Sequence, residues 1–151
     1  LVPGLLGDLA ALHGRNYAEH CGFPVLFEDK VAREMSEYLS RYDAAKDPFM
    51  GGDRDRVTGS ITIGGSDPEL AFGQAHLRWF ILHDSLAWQG LGGRMMRQSI
   101  QISRNAGFSS VYVITFKGLG MAMSLLKKAG FKIFKEQADE TWGRTFLEQR
   151  L

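Results

Sequence analysis

The sequence has 151 residues, of which 44% are hydrophobic and 23% charged. This composition is that of an ordinary globular protein and excludes disordered and fibrous classes. A chain of this length buries about 70% of its extended surface, enough for one domain over residues 1–151. The 18 Lys and Arg residues against 17 Asp and Glu give a net charge of +1 without a basic run, so no direct nucleic-acid partner is expected.

Two amphipathic helices are predicted before any strand. Asp8 can cap a helix from Leu9 to about His20, and Gly22 is placed to end it. The apolar face of the second helix repeats at three- and four-residue steps and consists of Phe27, Val31, Met35, Tyr38 and Tyr42.

The middle of the chain predicts the antiparallel part of a sheet. A short strand is expected near Phe49, followed by a turn at Gly51-Gly52-Asp53. Alternating apolar and polar residues from Val57 to Ile63 predict a half-buried strand. A long strand from about Leu70 to Leu82 returns as its antiparallel neighbour.

The last third of the chain predicts parallel pairing. A helix that ends near Ala106, with Gly107 as its stop, is followed by a β-branched strand from Ser110 to Thr115. Strand, helix and strand in this order imply a right-handed parallel crossover. The remaining predicted elements are a helix from Met121 to Ala129, ended by Gly130, and a hairpin of Lys132–Lys135 and Thr141–Gln149.

A glycine-rich loop joins the long strand to the helix after it. Gly90, Gly92 and Gly93 lack a Cβ, so the backbone can approach a ligand and turn its N–H groups inward. The following helix adds unpaired N–H donors and a partial charge of about +0.5. A phosphate or pyrophosphate is the favoured occupant. The loop lacks the Lys-Ser/Thr of a nucleotide triphosphatase, and Met95 stands where a dinucleotide loop has its third glycine.

Three segments in register resemble the GNAT superfamily of N-acetyltransferases. Ala87-Trp88-Gln89-Gly90-Leu91-Gly92 is similar to its acetyl-CoA loop, R/Q-x-x-G-x-G/A. The segment 125–131 resembles the family's "lYeklGF", and the segment 57–61 resembles "ivGsi". The segments 13–19 and 145–147 look similar to acetyltransferase domains fused to bacterial MarR-type regulators. The resemblance implies an α/β fold with a mixed central sheet, antiparallel N-terminal strands, a parallel pair around the glycine loop, and flanking helices.

The resemblance also implies that acetyl-CoA binds as co-substrate. In the family the two parallel strands splay apart, and backbone groups of the first strand pair with the pantetheine arm. The glycine loop holds the pyrophosphate. The implied cofactor-binding residues are Phe80, Ile81, Leu82, Trp88, Gln89, Gly90, Leu91, Gly92, Gly93 and Arg94, with packing alone as the alternative for Trp88 and solvent exposure as the alternative for Arg94.

His76 and Glu19 are the candidate catalytic residues. Strand alternation predicts that His76 shares a face with Arg78, Phe80 and Leu82, and the resemblance places a general base at this position. The alternative is that His76 only starts the strand at its solvated end. Glu19 lies on the acceptor side in this fold, where it holds a cationic substrate, relays a proton or is merely solvated. His83 lacks further ligands at metal spacing, so no metal site is predicted.

Three positions depart from the family pattern. Ala87 replaces the first Arg or Gln of the loop, Leu119 replaces a helix Asn, and Leu126 replaces the Tyr that often protonates the leaving thiolate. Either water or another group then serves the thiolate, or the domain binds the cofactor without turnover.

The leading hypothesis is an acetyl-CoA-dependent N-acetyltransferase in which a primary amine attacks the thioester directly. The alternative is a catalytically weak acetyl-CoA-binding sensor domain attached to a regulator, and a scaffold that binds nothing is least favoured. The acceptor stays open between a small amine, an antibiotic, a peptide terminus and a protein lysine.

The single Cys21 forms no internal disulfide, and no apolar run reaches membrane-spanning length. A cytoplasmic location and no membrane partner are therefore expected. The sequence begins at Leu1 rather than Met, which leaves open an additional N-terminal domain, and the oligomeric state is open as well, a homodimer included.

Overall fold

Four α-helices and six β-strands make up the described part of the chain. The computed structural model describes residues 2–47, 49–51, 58–86, 89–116, 119–137 and 144–151. The helices are α1 (Leu5–Cys21), α2 (Val25–Ser40), α3 (Leu91–Asn105) and α4 (Gly120–Lys128). The strands are β1 (Phe49–Gly51), β2 (Gly59–Gly64), β3 (Gln74–Leu82), β4 (Ser110–Phe116), β5 (Lys132–Gln137) and β6 (Arg144–Arg150).

The strands form one mixed sheet in the order β1-β2-β3-β4-β6-β5. Only β3 and β4 are parallel among these strands, and every other neighbouring pair is antiparallel. This confirms the predicted α/β class, with antiparallel N-terminal strands and a parallel pair on either side of the glycine loop. None of the helices in the described ranges is long and apolar enough to cross a membrane.

The first helix begins earlier than its sequence predicts. Gly4, with φ of 91°, turns the chain into α1 at Leu5, so Asp8 lies in the first turn rather than at the cap. A carboxylate there still faces the partial positive charge of the helix N-terminus. Gly22 ends the helix in a left-handed conformation, as predicted.

The second helix buries the predicted face with one exception. Phe27, Val31, Met35 and Tyr38 are buried on α2. Tyr42 lies beyond the end of the helix and is exposed, because the helix ends at Ser40.

Strand β2 is buried on both faces, so the prediction of a half-buried strand is wrong. All six residues of Gly59–Gly64 are buried. Ile61 and Ile63 belong to the core that also contains Met96 of α3. Alternation puts Ser60 and Thr62 on the opposite face, and both have 0% exposure. Helices cover both sides of the sheet, and Val57 lies outside the described residues.

Strand β3 begins at Gln74 rather than near Leu70. A turn in which the Gln74 N–H donates to the Ala71 carbonyl at 3.0 Å precedes it, and Gly73 has φ of 74°. The last two strands pair as the predicted hairpin. The predicted turn residues Gly52 and Asp53 lie outside the described part of the chain, as do Thr141 and Trp142.

Candidate active site

The two parallel strands separate after a short shared ladder. Their paired residues run from Gln74 with Ser110 to Leu77 with Val113. Beyond this point β3 continues to Leu82, pairing with β2 on its other edge, and β4 continues along β6. The edge of β3 that faces β4 is therefore open to hydrogen bonding with an extended ligand.

A β-bulge lies in β3 where the strands separate. Ser60 pairs with Ile81 and Thr62 with Arg78, so two residues of β3 oppose one of β2. Trp79 carries the bulge with φ of 48°, the only positive φ at a non-glycine residue in the described part of the chain. Its carbonyl accepts a hydrogen bond from the Ser60 hydroxyl.

Because of the bulge, the prediction that Phe80 and Leu82 share the face of His76 is wrong. His76 and Arg78 lie on the side of α2, where the Arg78 guanidinium contacts Glu34. Phe80, by contrast, packs against the core that contains Leu77. An inserted residue shifts the alternation by one position, so Phe80 and Leu82 do not share the face of His76.

The separated strands open a cleft beneath the first two helices. Its walls come from α1 and α2, from β3 and β4, and from α4 with one residue of β6. The residues that line it are His13, Tyr17, Phe27, Lys30, Val31, Glu34, His76, Leu77, Arg78, Trp79, Phe80, Val113, Ile114, Thr115, Phe116, Leu119, Ala122, Leu126 and Arg144.

The glycine loop ends at the N-terminus of α3. Gly90 caps the helix with φ of 73°, and no atom of the described residues lies within 4 Å of the position that a Cβ would occupy there. The first turn of α3 has no acidic residue and no side-chain cap bond. The first N–H groups of a helix have no partner within the helix, so this turn presents free donors and positive partial charge to an anion.

Gly92 connects the loop to the open strand. A Cβ at Gly92 would lie 3.1 Å from a methyl of Leu82, 3.5 Å from the Phe80 ring and 3.1 Å from a methyl of Leu125. The N-terminus of α3 therefore rests on the open part of β3. Phe80 links the two features, because its ring lies beside Gly92 of α3 and also lines the cleft.

His13 is a buried histidine in the cleft wall. Its side chain is 3% exposed, and its Nδ1–H donates to the Leu9 carbonyl at 2.8 Å. That bond leaves Nε2 as the unprotonated nitrogen. Nε2 has no hydrogen-bond partner among the described residues. Burial lowers the pKa of His13 to about 4, although the bond to Leu9 opposes this shift.

His76 lies in the cleft at the last paired segment of the strands. Its ring stacks on Tyr112 of β4 with centroids 4.2 Å apart. Burial, followed by the charges of Arg78 and Lys30, lowers the pKa of His76 well below its ordinary value. The imidazole is therefore neutral at neutral pH and can accept a hydrogen bond, but it is a weak base.

The sequence profile of the acetyltransferase (GNAT) family matches residues 15–131. The chain belongs to the acetyltransferase (GNAT) family. No curated protein matches this sequence.

Three solved structures share the GNAT fold of this domain. One, assigned to the GNAT family, comes from Desulfovibrio desulfuricans: TM-score 0.75, 17% identity, with 99% of this chain and 94% of that chain covered. A ribosomal-protein-alanine N-acetyltransferase from Brucella melitensis has a TM-score of 0.75 and 14% identity, with 100% of this chain and 97% of that chain covered. An aminoglycoside 6'-N-acetyltransferase complexed with coenzyme A has a TM-score of 0.70 and 15% identity, with 99% of this chain and 92% of that chain covered.

Glu19 lies outside the lining of the GNAT cleft. It is exposed near the end of α1, beside His20 and Asp84, with ligand atoms of the three side chains within 4.8 Å of one another. His20 Nε2 lies 3.1 Å from a carboxylate oxygen of Asp84. The predicted catalytic pair is thus divided, with His76 in the cleft and Glu19 on the surface.

The predicted cofactor residues occupy distinct parts of the site. Ile81 is buried and offers only its backbone, whereas Arg94 is exposed at the start of α3. Gln89 donates from its side chain to the Ser85 carbonyl at 3.1 Å. Trp88 and Ala87 lie outside the described residues.

Two leucines stand where the family has polar groups. Leu126 is 2% exposed and belongs to the core, and Leu119 lies next to the start of α4. Both line the cleft. Neither side chain can donate a proton.

Sequence reasoning did not identify His13, Lys30, Arg78 and Glu34 as site residues. A signal existed for His13, which stands four residues after Leu9 and four before Tyr17, the spacing of one helix face. Lys30 and Glu34 are likewise one helical turn apart. The contact of Glu34 with Arg78 depends on how α2 lies across the sheet, which one sequence does not reveal.

Proposed function

We propose that this domain transfers an acetyl group from acetyl-CoA to a primary amine by direct attack of the amine on the thioester. The observation that carries the proposal is the position of the N-terminus of α3 beside the open part of β3, whose Phe80 also lines the cleft. Family membership and a fold neighbour complexed with coenzyme A support it.

The chain's residues fit acetyl-CoA at three points. The uncapped first turn of α3 offers N–H donors to the pyrophosphate. The open edge of β3, over residues 78–82, can pair with the amide groups of the pantetheine arm as a further strand does. The cleft at the strand separation then receives the thioester end.

Acetyl-CoA supplies an activated acyl group when bound, so the protein's main tasks are positioning and proton handling. The amine must lose one proton, and the departing thiolate must gain one. The neutral imidazole of His76 can accept a hydrogen bond directly from the amine. It can also accept one from a water molecule that takes the proton of the amine. Because Leu119 and Leu126 have no acidic proton, water or another group serves the thiolate.

Replacing His76 by alanine is expected to lower kcat about tenfold, below the larger effects of strong general bases, because a depressed pKa weakens proton transfer. The loss should be constant from pH 7 to 9, where the imidazole is neutral throughout. Steady-state kinetics measure it, with Tyr112→Phe as a control that keeps the stacked ring. Wild-type kcat in His76→Ala across this range would remove His76 from the reaction.

A second candidate function is a cofactor-sensing domain that binds acetyl-CoA without efficient turnover. The observation that favours it is the apolar character of Leu119 and Leu126 in the cleft. Release of the CoA thiol, followed over a panel of primary amines, separates the two functions. Amine-dependent release supports the transferase, and tight acetyl-CoA binding without release supports the sensor.

A further inference from the structure

The acceptor side of the cleft contains two cations around one carboxylate. Arg78 Nη2 donates to Glu34 Oε2 at 3.0 Å, and the Lys30 ammonium contacts the other oxygen of the same carboxylate. The Arg78 side chain is 13% exposed, and those of Lys30 and Glu34 are 33% exposed. The group therefore has a charge of +1 in a partly desolvated wall of the cleft.

Arg78 keeps hydrogen-bonding capacity that Glu34 does not use. A guanidinium has five N–H donors in a planar fork. One bond goes to Glu34, and the guanidinium carbon lies 4.4 Å from the centroid of the Trp79 ring. This cation–π contact with an indole held by the bulge helps to hold the guanidinium in place. A planar, pre-oriented fork is suited to bidentate recognition of a carboxylate.

The charges of this group act inside the cleft. Arg78 and Lys30 both lower the pKa of the neighbouring His76, after the larger effect of burial. Both cations therefore act electrostatically on the ring of His76. A positive potential attracts an anionic group of the acceptor, and it also favours the neutral form of the amine that has to attack.

We propose that the acceptor is a small primary amine that also carries a carboxylate, and that Arg78 and Lys30 bind this carboxylate. The amine group then lies toward His76 and the strand separation. This inference rests on the proposed acetyl transfer. The competing arrangement, in which Glu34 binds the second ammonium of a diamine, predicts the opposite preference.

The test compares amino acids with their primary amides and with cadaverine as acceptors. The wild-type protein should give a kcat/KM for its best amino acid at least about tenfold above that of the matching amide, because the amide loses charge-assisted hydrogen bonds. Equal values for acid and amide, or a preference for cadaverine, would overturn the proposal.

Three variants test whether Lys30 and Arg78 cause the preference for an amino acid over its amide. Lys30→Gln should reduce the acid-to-amide ratio severalfold, chiefly through KM. Arg78→Lys, which keeps the charge and loses the fork, should reduce it as well. Arg33→Gln is the matched control, since it removes a cation from an exposed part of the same helix, paired with Asp29. A ratio that falls equally in Arg33→Gln would show only a general charge effect and contradict the site.

Binding separates this inference from the proposed function. N-acetyl amino acids and their amides are titrated calorimetrically into protein saturated with CoA. Turnover of amines without a carboxylate preference leaves the transferase intact and refutes the carboxylate site. Preferential binding of the N-acetyl acids, with no turnover of any amine, refutes the transferase and keeps the site. Equal binding of acids and amides contradicts the carboxylate site whether or not turnover occurs.

Discussion

Replacing Gly93 by aspartate is expected to weaken acetyl-CoA binding about 100-fold while the Tm stays equal or rises. Gly93 lies in the first turn of α3, and among the described residues only the end of the Arg97 side chain comes within 4 Å of an added Cβ, at 3.3 Å. An added carboxylate interacts favourably with the helix N-terminus but repels a pyrophosphate bound there. At about 4 Å, each pair of like charges near a protein surface costs on the order of 4 kcal/mol before screening.

Isothermal titration calorimetry with acetyl-CoA measures this effect. Gly93→Asn is the matched control, because it has the same size without the charge, and it should lose far less affinity. A folded Gly93→Asp protein with wild-type affinity would show that the N-terminus of α3 does not hold the pyrophosphate.

Acid is expected to destabilise the fold through His13 by about 3 kcal/mol. Burial lowers the pKa of His13 to about 4, against 6.5 for an ordinary histidine, and each unit corresponds to about 1.36 kcal/mol. Between these pH values the unfolded chain binds a proton that the folded chain does not. Stability is therefore complete above about pH 6.5 and falls as the pH decreases toward 4.

Urea unfolding at pH 7 and pH 4 measures this contribution as a difference between proteins. Between pH 7 and pH 4, the free energy of unfolding of His13→Leu should fall by about 3 kcal/mol less than that of the wild type. Other titrating groups, His76 included, are present in both proteins and cancel. Equal acid sensitivity of His13→Leu and the wild type would show that His13 titrates normally in the fold.

The structure explains why the strand-loop-helix segment could be recognised from sequence. Glycine spacing, helix stops and strand alternation are local signals, and they located α3, β4 and α4 within one or two residues. Gly92 shows the limit of this reasoning. Its backbone suits a ligand, but its missing side chain also allows contact with Leu82 and Leu125. A valine at Gly92 would therefore disturb packing as well as binding, and Gly93 is the better test position.

The face of β3 could not be predicted because one bulge reverses it. Alternation holds from Gln74 to Arg78, and the extra residue at Trp79 then moves Phe80 and Leu82 to the other side. A bulge depends on pairing with β2, so it leaves no periodic signal in β3 itself. His76 precedes the bulge and lies in the cleft as the alternation requires.

The part of the cleft formed by α2 and β3 was the least predictable, because it is made by packing between segments that are distant in the sequence. Lys30 and Glu34 meet Arg78 only when α2 lies across β3. Glu19 was a candidate because α1 borders the acceptor side in this fold, yet the helix turns it toward His20 and Asp84 at the surface. Family resemblance locates an element more reliably than it orients one side chain.

Acetyl transfer itself is tested most directly with acetyl-CoA labelled with carbon-13 in its acetyl group. The purified protein is incubated with this cofactor and the amine panel, and mass spectrometry follows the label. We expect labelled N-acetyl amine in an amount equal to the CoA thiol released, with Gly93→Asp forming far less at subsaturating cofactor. Label that stays in acetyl-CoA bound to the folded protein, or enters only acetate, would contradict it.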